Sequence, residues 1–136
     1  MSKLTNYAET ALTNHILGKA AYTMPTTVYL ALFTADPTDN GTLTAEVPAS
    51  RGYARQAITS TMSTSSGGST SQNAADINFG PCVTTSWGTV THIGIVDSAT
   101  IGAGNLLFYG PVTASKAVAV GDSLRFAPNN LTVSID

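Results

Sequence analysis

Between Leu4 and Ile16 apolar residues return every three or four positions: Leu4, Ala8, Ala11 or Leu12, and Ile16, with Lys3, Glu9, Thr10 and Asn14 between them. That spacing lays one apolar stripe along an α-helix. It predicts a helix over residues 3–17, with Ser2 or Thr5 as N-cap and Gly18 as the left-handed residue just past the end. After Met24-Pro25 the period changes to two, or to short apolar runs between turn residues, and it stays so to Asp136. Residues 27–33 (TVYLALF) read as a buried strand. Residues 53–61 alternate, with Tyr53, Arg55 and Ala57 on one face and Ala54, Gln56 and Ile58 on the other. Further strands are predicted at 75–79, 89–96, 105–109, 123–126 and 131–135, with a weaker extended piece at 116–120.

The segments between these strands carry turn chemistry. Pro37 and Asn40-Gly41 shape the loop after the first strand, and Gly102-Ala-Gly104, Gly121-Asp122 and Pro128-Asn-Asn130 supply later reversals. Residues 63–72 (STSSGGSTSQ) hold no apolar anchor and are expected to be a mobile, solvent-facing loop. Seven or eight short strands with one leading helix leave no crossover helices for a parallel sheet. The expected fold is therefore all-β, an antiparallel β-sandwich of jelly-roll type with a short N-terminal α-helix. Residues 1–24 form the helix and linker, and residues 25–136 one β-sandwich domain.

Composition narrows the functional classes. The chain has 136 residues, 43% of them hydrophobic, enough for one core, since a domain of this size buries roughly two-thirds of its unfolded surface. Only 10% are charged, six basic against eight acidic, for a net charge of −2. No Lys/Arg cluster offers the footprint that a phosphate backbone needs, so nucleic acid is not an expected partner. Neither is a membrane, because no apolar run reaches about 18 residues. The polar start, Ser2 to Asn6, is unlike a secretory signal, and one cysteine excludes a disulfide scaffold. Thr and Ser make up about a quarter of the chain and carry its solubility. Such weakly charged surfaces repel one another little, which suits a subunit packed against copies of itself.

Candidate chemistry is sparse. The possible bases, His15 and His92, lie beside the helix stripe and within a strand, where structural roles are expected, and Cys82 reads as a small apolar filler. Asp36, Asp39 and Glu46 stand close in sequence. They miss the calcium-loop pattern because the twelfth position from Asp36 is Val47, one residue past the glutamate. Asp76, Asp97 and Asp122 are the carboxyls available for glycan hydrolysis, but each sits at a strand start or turn. The Gly-rich stretches lack the Lys-Ser/Thr and following helix of a phosphate loop. No catalytic, metal-binding or cofactor residue is expected. Two surfaces remain: the helix residues Leu4, Tyr7, Leu12 and Ile16 as a partner interface, and Tyr53, Trp87, Phe108 and Tyr109, which read as core more readily than as a glycan platform.

Five segments carry a family resemblance in order along the chain: NYAETALTNH from Asn6, PTTVYLALFTADPTD from Pro25, GYARQ from Gly52, SWGTVTHIGI from Ser86 and GNLLFYG from Gly104. Together they resemble small virion proteins of tailed bacteriophages, described as tail-fibre or fibre-like. The resemblance implies a non-enzymatic structural subunit, made in the host cytoplasm and carried on the particle in several copies, a trimer being favoured. Its partners would be copies of itself and other virion proteins. It leaves open a tail fibre or adaptor and a capsid decoration or cement role, and the chain is too short for a long fibre shaft. A carbohydrate- or receptor-binding module is the alternative it leaves standing.

Overall fold

In a computed structural model that describes residues 2–65, 68 and 70–135, every strand pairing is antiparallel and one α-helix is present among those residues. In chain order the elements are β1 (Lys3–Leu4), α1 (Asn6–Ile16), β2 (Tyr29–Phe33), β3 (Gln56–Ala57), β4 (Thr70–Gln72), β5 (Ile77–Phe79), β6 (Gly88–Val96), β7 (Leu106–Val118), β8 (Leu124–Phe126) and β9 (Thr132–Ser134). A five-stranded sheet runs β1-β7-β6-β2-β3, and two further pairs are β4 with β9 and β5 with β8.

The large sheet buries both faces, which explains why β2 reads as a continuous apolar run. Leu30 and Leu32 point to one side and join Val90 and Ile95 of β6, Ile77 and Phe79 of β5, Leu124 of β8 and Leu131 in the main core. Ala31 and Phe33 point to the other and pack with Val96, Leu106 and Tyr109. Each large apolar side chain removed from water in this way contributes about 1.5–3 kcal/mol. Trp87, 1% exposed, donates its indole N–H to the Arg51 carbonyl at 2.7 Å and meets Tyr53 edge-on at 5.7 Å. The aromatic residues thus belong largely to the core: Tyr53, Trp87 and Tyr109 are buried and Phe108 is half-buried, so Trp87 offers no platform to a glycan.

Four expectations change. The helix starts at Asn6, because residues 3–4 are drawn into the sheet: Leu4 pairs with Phe108 and Lys3 with Tyr109. Leu4 therefore lies on a strand and not on the helix stripe. The expected strand 53–61 shrinks to Gln56–Ala57, since the alternation breaks where Ile58 turns inward with its N–H on the Val28 carbonyl. The pieces expected at 105–109 and 116–120 merge into one strand, β7, which ends at Val118 and is interrupted where the four residues 112–115 stand opposite Thr91 alone, a bulge larger than the usual two-against-one kind. Within the supposed loop 63–72, Thr70–Gln72 pairs with Thr132–Ser134, held further by Gln72 Nε2 donating to Thr132 Oγ1 at 3.1 Å. Hydroxyl and amide pairing across the strands replaces the missing apolar anchor there. Ser66, Gly67 and Ser69 of that segment lie outside the described residues.

Candidate interaction surface

Thr5 fixes the start of α1. As N-cap it accepts from the Ala8 N–H at 3.4 Å, while its own hydroxyl donates to the Leu106 carbonyl at 2.5 Å and its N–H to Leu107 at 3.0 Å. The helix is thereby locked to β7 at one end. Asn6 adds a tie to the loop after β2, its N–H donating to the Asp39 carbonyl at 2.8 Å. The expected Gly18 takes a left-handed φ of 70° just past the C-cap Leu17, and the chain folds back so that the Tyr22 N–H donates to His15 Nδ1 at 3.0 Å. His15 is a cap for that return.

Only Ala8 of α1 is fully buried. Ile16 is 78% exposed and Leu17 65%, so the apolar side chains at the C-terminal end of the helix are turned to solvent, as are Tyr7 in its first turn and Met24 beyond it. The four residues expected as one interface occupy different places. Leu4 is half-buried in β1 and Leu12 half-buried along the helix. Tyr7 and Ile16 are nine positions apart, which at about 100° per residue puts them on opposite flanks. Tyr7 instead lines a small cavity of 330 Å³ with Ala11, Asn14 and Tyr22.

Beside the helix N-terminus lies an acidic corner. The Tyr109 hydroxyl donates to Asp39 Oδ1, Asp36 Oδ1 accepts from the Thr38 N–H at 2.8 Å, and Asp36 Oδ2 lies 3.9 Å from His92 Nε2. Burial, the hydrogen bond to Asp39 and the charges of Asp39, Asp36 and Glu9 push the Tyr109 phenol up to about 12. Glu46, the third residue of the weak calcium pattern, is elsewhere: it is buried against Arg55, with Nε to Oε2 at 2.7 Å and Nη2 to Oε1 at 2.7 Å. Among the described residues no three His, Cys, Asp or Glu side chains converge on a metal-sized site.

The Glu46–Arg55 pair is the buried feature that sequence reading passed over. Arg55 also donates to the carbonyls of Ser98 and Ala103 at 2.7 and 2.9 Å, and Glu46 accepts from the Tyr53 hydroxyl at 3.2 Å. Burial and the Glu46 charge together hold the Tyr53 phenol well above its ordinary range. Arg55 was placed on the same strand face as the apolar Tyr53, and an inward guanidinium demands a carboxylate. That demand is a usable signal, and Glu46 stood within reach.

The other candidates hold turns and surface pairs. Asp97 accepts from the Asn105 N–H and side-chain amide at 2.7 and 3.0 Å, Asp122 from the Ala119 N–H at 3.1 Å, and Asp76 pairs with Arg125 at 3.1 Å. Cys82 is buried, its thiol donating to the Thr85 carbonyl at 3.1 Å. His92 shares a hydrogen bond with Thr91 Oγ1 at 2.9 Å.

An open cleft of 560 Å³ lies between the β6–β7 ladder and the β8–β9 segment. Its floor is apolar, from Ile93, Phe108, Val112, Phe126 and Val133, all half-buried, and the β7 bulge forms one lip. Lys116 and Arg125 stand at its edge. No helix among the described residues is long and apolar enough to cross a membrane.

The chain matches no curated protein sequence. The family model described as Podophage GP4 fiber I protein gp80 matches residues 3–134, nearly the whole chain and all five of the segments that carried the resemblance. The chain belongs to this family of podophage fibre proteins, structural components of the virion.

Proposed function

We propose that the chain is an accessory structural subunit of the phage particle, present in several copies, which extends or stabilises a fibre, adaptor or capsid-decorating layer by protein–protein contacts and performs no catalysis. One observation carries the reading beyond family membership: the fold leaves Ile16 and Leu17 open to water at the C-terminal end of α1, and Met24 in the segment that follows, apolar side chains that a partner would cover. Ionisable groups support it from the other side. Asp76, Asp97, Asp122, Glu46 and Arg55 are engaged in pairs and turns that hold backbone in place.

In this reading residues 1–24 are the attachment segment and residues 25–136 a jelly-roll body, synthesised in the host cytoplasm and assembled most readily as a trimer. Of Leu4, Tyr7, Leu12 and Ile16, the last carries the contact, Leu12 supports it, and Leu4 anchors the segment to β7. A receptor-binding role has less support, because Trp87, the strongest candidate for sugar stacking, is enclosed.

The test is incorporation. Particles assembled in cells supplying the wild-type chain or Ile16→Glu are purified on a density gradient and probed for the protein. Loss of about tenfold or more in the variant is expected, the effect of removing one buried apolar anchor. Equal incorporation overturns the helix contact, and absence of the wild-type chain from particles overturns the reading.

A further inference from the structure

Resting on that helix contact, we infer that the cleft between the β6–β7 ladder and the β8–β9 segment receives the exposed flank of α1 from a second copy of this chain. The two surfaces fit in polarity and in charge. The cleft has an apolar floor, and the charged side chains lining it, Lys116 and Arg125, are both cations. Lys116 forms no ion pair within 4.0 Å among the described residues, and Arg125 has only the half-exposed Asp76. On the helix, Glu9 and Ile16 are seven residues apart, about two turns, and so share one flank. Glu9 is the carboxylate on the Ile16 flank of α1, while Asp36 and Asp39 lie with it near Tyr109 at the start of the helix and Lys19 follows its far end. A flank that carries Glu9 and ends in the apolar Ile16 is thus matched to a cleft with an apolar floor and the cation Lys116, unpaired among the described residues.

Size and edge geometry choose the mode. A helix of 11 residues spans about 16 Å, too much for a cavity of 560 Å³, so side chains of its last turn enter and the helix rides on the lips. Strand addition along β7 is disfavoured, because the bulge at residues 112–115 spoils the row of outward N–H and C=O groups that an added strand needs. Helix into cleft joins two different patches, a heterologous contact that propagates until a ring closes. An isologous helix-to-helix contact would leave the cleft open.

Mixing two defective chains separates these cases. Ile16→Glu spoils the helix and keeps the cleft, and Val112→Glu does the reverse. Measured by light scattering at about 100 µM, each is expected to be monomeric alone, and an equimolar mixture to give heterodimers and nothing larger. Because Val112 is half-buried and its variant can lose its fold, a charge pair provides a second readout. Glu9→Lys and Lys116→Glu should each weaken association about two- to fivefold, and the double variant should recover it. A Val112→Glu chain, folded by circular dichroism, that associates like wild type overturns the inference, as does a mixture that stays monomeric or a double variant weaker than either single one. A wild-type chain that is monomeric throughout overturns it too. A wild-type chain that is monomeric in solution yet incorporated into particles overturns this inference and the trimer but leaves the accessory structural role standing, whereas absence from particles overturns that role.

Discussion

At the scale of single residues the most demanding position is Arg55. Its guanidinium is buried with the Glu46 carboxylate and satisfied by two loop carbonyls, so it joins the segment around residue 46 to the turn at residues 98–103. Removing one partner strands the other charge away from water. Arg55→Met is expected to cost about 3–5 kcal/mol, read from urea unfolding, whereas replacing both charges by well-packed apolar residues should cost much less. Tyr109 makes a different prediction, because its phenol is raised to about 12 in the folded protein from an ordinary value near 10. Between those values the unfolded chain releases this proton and the folded chain keeps it. Stability attached to Tyr109 is thus complete below pH 10 and falls as pH rises towards 12, with Tyr53 adding to the same trend. Melting temperature measured across pH 9–12 should drop less steeply in Tyr109→Phe.

At the scale of elements, what was legible depended on whether a segment's partners are local. The helix follows from its own spacing and caps: Thr5 and Gly18 act where the sequence places them. β2 and β6 likewise declare themselves by apolar runs long enough to cross a core. β1 and β4 do not, because two or three residues of Lys-Leu or Thr-Ser-Gln become strand only through β7 and β9, 60 or more residues away. The β7 bulge was equally hidden; its two halves look like separate strands because neither half reveals the register of the other. The apolar stripe did not reveal which of its members the fold would cover: Ile16 stays exposed, while Leu4 was claimed by the sheet.

Two substitutions check these assignments. Gly94 is buried in β6, and a Cβ there would come within 3.0 Å of Phe33 and 3.1 Å of the Phe108 carbonyl. Gly94→Val should therefore destabilise by about 1–3 kcal/mol through overpacking. Ile16→Glu, in contrast, should change unfolding by no more than about 0.5 kcal/mol, since the side chain is largely in water in the isolated chain. A large loss would mean that α1 packs more tightly on its own body than its exposure indicates.

At the scale of the whole molecule, the chain uses several of its few charges, Glu46, Arg55, Asp97 and Asp122 among them, to fasten loops, and leaves apolar surface at one helix end and in a cleft. Low net charge lets such surfaces approach closely, and a β body pinned to its leading helix by Thr5 presents them in fixed relation. In the proposed reading, shape and polarity are what these surfaces offer a partner, in keeping with a family of fibre proteins. The most direct measurement is the protein composition of gradient-purified particles of the phage that encodes the chain, by quantitative mass spectrometry against a capsid standard. The chain should be present at several copies per particle, in a fixed ratio that survives washing; its absence from intact particles would contradict the account.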